Sequence, residues 1–126
     1  MIVVADTSPL NYLILIDEVG VLASLFGHVL LPTAVARELS HPNAPIKVQE
    51  WMSKVPAWAE VRSVTTTTNP MLMRLDPGER KAIQLALEAG VNTVLMDESE
   101  GRKLAESFHL EVRGTLGILE RGARLG

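Results

Sequence analysis

Three stretches of this chain are continuously apolar and too short to be helices: Ile2-Val3-Val4-Ala5, Val29-Leu30-Leu31 and Val94-Leu95-Met96. They lack the alternation of a half-exposed strand, which is the pattern of strands buried on both faces. Such strands need helices above and below them. The segments between them supply helical spacing: Leu10, Leu13 and Ile14; Ala82, Ile83, Ala86 and Leu87; Leu104, Ala105 and Phe108. The expected fold is α/β, a three-layer α/β/α sandwich around a central, mostly parallel sheet.

Local signals mark where these elements begin and stop. Thr7-Ser8-Pro9 reads as a helix start, with a helix running to about Asp17 before Gly20. A short helix through Val21, Leu22 and Leu25 closes at Gly27, and Pro32 stops the second strand. Thr33 is expected to cap a helix containing Val35, Glu38 and Leu39, and Ile46–Lys54 to form another. Val61–Val64 reads as an edge strand, followed by an exposed loop over Thr65-Thr66-Thr67-Thr68-Asn69-Pro70. Asp76-Pro77-Gly78-Glu79 is the clearest helix start, with Asp76 as N-cap, Pro77 as first helical residue and Glu79 as capping-box partner. Leu110–Val112 is expected as the last strand, and Gly114-Thr115 opens the final helix.

At 126 residues the chain is expected to be one domain, residues 1–126. There is no cysteine, and the three histidines are scattered, so any metal ligands are oxygens, which suit Mg²⁺ or Mn²⁺. A net charge of −3 speaks against a surface coated with basic groups but leaves room for a local basic stripe. The apolar runs are too short to span a bilayer, and no signal peptide precedes Asp6, so the expectation is a cytoplasmic protein without a membrane segment.

Two of the predicted strands end on aspartates, Asp6 and Asp97. A carboxylate in that place stands at the C-terminal edge of the sheet, where open α/β sheets bind ligands. Glu38 and Glu79 are spaced to share a helix side with small apolar residues. Inward carboxylates are costly unless protonated, paired or bound to a cation. Asp6, Glu38, Glu79 and Asp97 are therefore the candidate metal ligands and catalytic residues of a site for phosphodiester hydrolysis. Each also has a plainer explanation. Asp6 suits a turn or a cap, Glu38 a solvated helix face, and Asp97 a cap for the helix that follows. A capping box accounts for Glu79 without any metal, and Asp76 is assigned to capping. Glu98 and Glu100, in the same acidic turn as Asp97, read either as outer ligands or as helix-start charges.

The motifs that carry these residues resemble a known family. They are Asp6-Thr7-Ser8-Pro9-Leu10, Pro32-x-x-Val35-x-x-Glu38-Leu39, Leu75-Asp76-x-Gly78-Glu79-x-x-Ala82-Ile83, Leu95-Met96-Asp97-x-x-x-Gly101-Arg102-x-x-Ala105, and Gly114-Thr115-Leu116-Gly117-Ile118-Leu119. In this order they resemble the PIN domain, most of all prokaryotic members similar to VapC-type toxins. The resemblance implies a metal-dependent endoribonuclease, often the toxin of a toxin–antitoxin pair and frequently a homodimer. Its acidic quartet falls on Asp6, Glu38, Glu79 and Asp97. Ser8 takes the place of a hydroxyl near the metal, Thr115 lies near a further polar position, and Glu100 is an accessory candidate. Relatives commonly carry further C-terminal helices, so the chain is either a short member or lacks them.

A nuclease needs cations beside its acidic site to hold phosphates. Arg102 follows the Asp97 turn and is the candidate substrate contact. Lys103, Arg113, Arg121 and Arg124 read first as solvated helix charges. Two other function classes compete. A non-catalytic PIN-like module would bind RNA or a protein partner without cutting. A phosphoacceptor domain would want an acidic pair after its first strand, where this chain has Thr7-Ser8.

Overall fold

The computed structural model describes residues 1–67 and 69–125. Five strands form one sheet in the order β3-β2-β1-β4-β5, every neighbouring pair parallel. They are β1 (Ile2–Ala5), β2 (His28–Pro32), β3 (Ala59–Arg62), β4 (Thr93–Leu95) and β5 (Glu111–Arg113). Among the described residues seven α-helices flank the sheet, six between the strands and the last after β5: α1 (Thr7–Leu15), α2 (Val21–Phe26), α3 (Thr33–Leu39), α4 (Ile46–Ser53), α5 (Pro77–Ala89), α6 (Ser99–Ser107) and α7 (Thr115–Arg124). The expected three-layer α/β/α sandwich is the observed one, with a sheet that is parallel throughout.

Side-chain alternation along the strands divides the interior into two cores. Val3 and Ala5, Val29 and Leu31, and Leu95 face a core completed by α1, α2, α3 and Ile118 of α7. Val4, Leu30, Val94 and Met96 face the other, completed by Ala82, Ile83, Leu85 and Ala86 of α5 and by Leu104 and Ala105 of α6. Each fully buried aliphatic side chain contributes about 1.5–3 kcal/mol relative to exposure. This is why the inner strands tolerate no polar residue short of their ends.

The sheet order reverses at β1. Strands β2 and β3 lie to one side of it, β4 and β5 to the other, so the C-terminal ends of β1 and β4 flank a topological switch point. The Asp6 backbone N–H donates to the Leu95 carbonyl at 2.9 Å, carrying the β1–β4 ladder to the edge of that crevice.

Several boundaries differ from the sequence expectation. Helix α1 stops at Leu15, and Asp17 takes a positive φ of 62° in the turn beyond it. Thr33 does not cap α3. Pro32 occupies the N-cap position with no side-chain bond, and the Thr33 hydroxyl bonds Ser63 Oγ at 3.1 Å. Strand β3 lies two residues earlier than expected. Val29 N–H donates to the Trp58 carbonyl, and Ala59 is buried against β2, so tertiary pairing outweighs alanine's weak strand preference. Strand β5 runs one residue later because Arg113 pairs with Leu95 and accepts from the Met96 N–H. A 3₁₀ turn over Pro70–Arg74, absent from the sequence reading, is capped by the Asn69 side chain on Met71 N–H at 2.9 Å. In the preceding loop Glu88 accepts from the Thr65 amide and hydroxyl and from the Thr66 amide; Thr68 lies outside the described residues.

Candidate active site

Strand alternation decides where Asp6 points. It follows Val4, on the α5 side of the sheet, and meets the first turn of that helix. It occupies the N-cap position of α1 in extended backbone but makes no capping bond with its side chain. Pro9, at the third helical position, offers no amide for one. The expected cap bond is therefore absent, and the buried carboxylate, eased in part by the Thr7 amide, faces the crevice.

The convergence is visible at Gly78, the second residue of α5. A Cβ placed there would stand 2.9 Å from Asp6 Oδ1, 2.9 Å from Glu38 Oε1 and 3.1 Å from Thr7 Oγ1. Two carboxylates and a hydroxyl thus face one small space that only a glycine leaves open. The Thr7 hydroxyl is buried and has no hydrogen-bond partner among the described residues. Such an orphan is rare in a folded interior and calls for a ligand or water. Val35 and Leu39 anchor α3 in the first core while α5 packs alongside, and Glu38 between them lies at the rim of that contact, exposed rather than inward as expected.

Glu79 is positioned by the capping box that the sequence announces. Its amide donates to Asp76 Oδ1 at 2.9 Å, and its Oε1 accepts from the Asp76 amide at 3.4 Å. The same side chain is buried, and its Oε2 faces Gly101 of α6. Capping and membership of the acidic group are therefore compatible in one residue.

Burial and mutual repulsion set the protonation of this group. Burial pushes the Asp6 carboxyl up to about 7, with Asp76, Glu79 and Glu38 adding to the rise and the Thr7 amide opposing it. Burial also pushes Glu79 up to about 7, helped by the charge of Asp76 and of Glu98. Asp76, assigned mainly to capping, is thus also a charge neighbour of both.

Asp97 is held differently. It follows Leu95, whose side chain belongs to the core shared with α7, and it turns to that helix. Thr115 donates to it twice, from N–H to Oδ1 at 2.7 Å and from Oγ1 to Oδ2 at 2.6 Å. Asp97 caps no α6 turn; Glu98 stands at that N-cap position, without a side-chain bond. Beside Asp97, a cavity of about 420 Å³ is lined by Arg102, Arg113 and Thr115. Arg102 Nη1 and Asp97 Oδ1 both approach Gly114.

The remaining sequence candidates separate clearly. Ser8 is exposed, and Thr7 rather than Ser8 supplies the hydroxyl facing Asp6 and Glu38. Glu100 pairs with Arg74 at 3.3 Å on the surface. Its neighbour Glu98 is the member of that turn that raises Glu79. Thr7 was legible in principle, as a hydroxyl at the first helical position directly after a strand-end aspartate.

Among the described residues no three His, Asp or Glu side chains stand close enough to grip one ion unaided. Mg²⁺ and related ions do not require three, since they are held by one or two carboxylates and keep several waters. The oxygens of Asp6, Glu38 and Thr7, with the space over Gly78, suit such an ion by type and placement. No helix among the described residues is long and apolar enough to cross a membrane.

No curated protein matches the chain. The family model DUF3368, a PIN domain, matches residues 2–126. PIN domains are generally nucleases, typically working with divalent metals. The match takes in every strand of the sheet and every carboxylate described above, and the chain belongs to the PIN-domain family.

Proposed function

We propose that this chain is a divalent-metal-dependent endoribonuclease that hydrolyses RNA phosphodiester bonds at the β1–β4 crevice. The observation that carries the reading is the convergence of Asp6, Glu38 and the orphan Thr7 hydroxyl on the open face of Gly78. Asp6 and Glu38 would hold Mg²⁺ or Mn²⁺, with Glu79 and Asp97 completing the acidic surround. When bound, the cation would make water more acidic and offset the charge that grows on the phosphate.

The chain's own residues account for the rest. Hydrolysis joins a water oxygen to phosphorus and breaks one ester bond, so a proton must leave the water and another must reach the departing oxygen. Glu79, raised to about 7, has the affinity for a proton that a general base needs near neutrality. Asp6 is costly to ionise without a cation, so cation and charge arrive together. Thr115 fixes Asp97 in one orientation through two hydrogen bonds. Arg102, beside Asp97, is the first candidate for contact with a non-bridging phosphate oxygen. A toxin role, an antitoxin partner, a homodimer and a cytoplasmic setting rest on the resemblance to VapC-type toxins and on the sequence alone.

The test is cleavage of a mixed RNA pool by wild type, Asp6→Asn and Glu38→Gln, with EDTA or Mn²⁺. Cleavage by wild type only, and only with metal, is expected. Equal cleavage by the variants would remove these residues from the site. A wild type inactive with every divalent metal, yet still binding RNA, would support the binding-module alternative.

A further inference from the structure

A second cleft at the same edge of the sheet carries no carboxylate on its wall. It lies where β2 and β3 end, has a volume of about 230 Å³, and is lined in part by Thr33, Arg37, Ser63 and Lys81. The Thr33 and Ser63 hydroxyls bond to each other at its rim. Arg37 makes no ion pair among the described residues. A concave surface lined by a guanidinium, an ammonium and two hydroxyls suits an anion. The guanidinium in particular matches a phosphate through two parallel hydrogen bonds.

Its place in the fold says which anion. Arg37 immediately precedes Glu38 on α3, and Lys81 follows Glu79 by two residues on α5, and those helices pack together. On the far side of the acidic centre, beyond β4, lies the cavity of Arg102 and Arg113. The sheet order puts β1 between the two basic clefts. Their separation is roughly three strand spacings, about 15 Å. A strand of nucleic acid crossing the edge of the sheet would meet cations, then carboxylates, then cations.

We propose that the Arg37–Lys81 cleft binds a backbone phosphate of the RNA on the β3 side of the acidic centre, so that the strand runs across the sheet edge from β3 toward β5. This rests on the ribonuclease reading above and adds to it a second phosphate subsite and a path. The contact is to phosphate, so it contributes affinity without sequence preference.

The experiment measures binding of a short labelled RNA by fluorescence anisotropy across a KCl series. All proteins carry Asp6→Asn so that the probe is not cut. Adding Arg37→Ala and Lys81→Ala is expected to weaken binding about tenfold near physiological salt. It should also flatten the log–log salt dependence by roughly one unit, as loss of one to two phosphate contacts on a single strand requires. The charge-preserving pair Arg37→Lys and Lys81→Arg should keep the slope of the Asp6→Asn parent. An RNA with neutral methylphosphonate linkages should not distinguish the Ala pair from its parent. A slope unchanged by the Ala pair overturns the proposal. So does inorganic phosphate that stabilises the parent but not the Ala pair while the RNA slope stays the same, since that marks a small-anion site. Residual cleavage by Asp6→Asn itself would count against the acidic-site assignment, whichever way the slope moves.

Discussion

Thr115 grips Asp97 by both of its donors, the backbone N–H at 2.7 Å and the hydroxyl at 2.6 Å. The residue that opens the last helix thereby orients the carboxylate that follows the fourth strand. Thr115→Val keeps the shape and the backbone bond but removes the hydroxyl. It should cost about 1 kcal/mol in urea unfolding. If an oriented Asp97 serves the reaction, it should also slow cleavage about tenfold, with Thr115→Ser restoring the rate. Wild-type cleavage by the Val variant would leave Thr115 a purely structural residue.

Asp6→Asn should separate activity from stability in opposite directions. The carboxylate is buried among Asp76, Glu79 and Glu38, and an amide of the same size has no charge to desolvate. Without metal at pH 8, Tm is expected to rise by roughly 3–6 °C, as a gain near 1 kcal/mol gives a chain of this size. Cleavage should fall by about a hundredfold or more. The rise in Tm that Mn²⁺ gives the wild type should vanish. A lower Tm would show that Asp6 holds the fold together rather than straining it.

Stability of the metal-free protein should fall as pH rises. Asp6 and Glu79 reach about 7 in the fold from ordinary values of 3.8 and 4.5. Between those limits the folded chain keeps protons that the unfolded chain has released, so each added pH unit favours unfolding. The contribution is full below about pH 4 and gone above about pH 7. Glu88, held below its ordinary value first by the Thr65 hydroxyl, acts in the opposite sense at lower pH. Calorimetry in EDTA should give a higher Tm at pH 5 than at pH 8, with Mn²⁺ recovering much of the loss at pH 8. A Tm that climbs from pH 5 to 8 without metal would contradict the assignment.

Gly78→Ala probes the space itself. Helix preference favours alanine by about 1 kcal/mol. The new methyl would nevertheless stand 2.9 Å from oxygens of both Asp6 and Glu38. The side chains must move apart, so the Mn²⁺-linked rise in Tm should shrink several-fold even where the fold survives. An undiminished metal response would place the cation elsewhere.

Glu100→Gln is expected to change little. Its pair with Arg74 is exposed, and such pairs contribute between 0 and about 1 kcal/mol. Urea midpoint and cleavage rate should both stay near wild type. A large loss of activity would return Glu100 to the reaction.

The sequence carried the layers and the places of the candidate carboxylates in them, and the reasons for the gaps are physical. Strands β1 and β2 were legible because both their faces are buried, and Asp76-Pro77-Gly78-Glu79 because a capping box is a local structure that four residues specify. Strand β3 was misplaced because Ala59 becomes a strand residue only by pairing with Val29. The aspartates of β1 and β4 looked equivalent in sequence. In the fold Asp6 continues the side of Val4 and turns to α5, while Asp97 continues the side of Leu95 and turns to α7. Thr7 went unnoticed beside Ser8 because a one-residue step along a helix turns a side chain by about 100°. Only the packed structure says which hydroxyl faces inward.

The strand order has one more consequence, for the chain as it is made. Asp6 directly follows the first strand, yet the strand that forms the other lip of its crevice is β4, which begins only at Thr93. Glu79 and Asp97 leave the ribosome long after Asp6 and Glu38. A nascent chain that has not reached β4 has its first carboxylates but no crevice to hold them. On the ribonuclease reading proposed above, the chain would be synthesised amid RNA in an unassembled form, and its acidic site would close with one of the last strands to emerge.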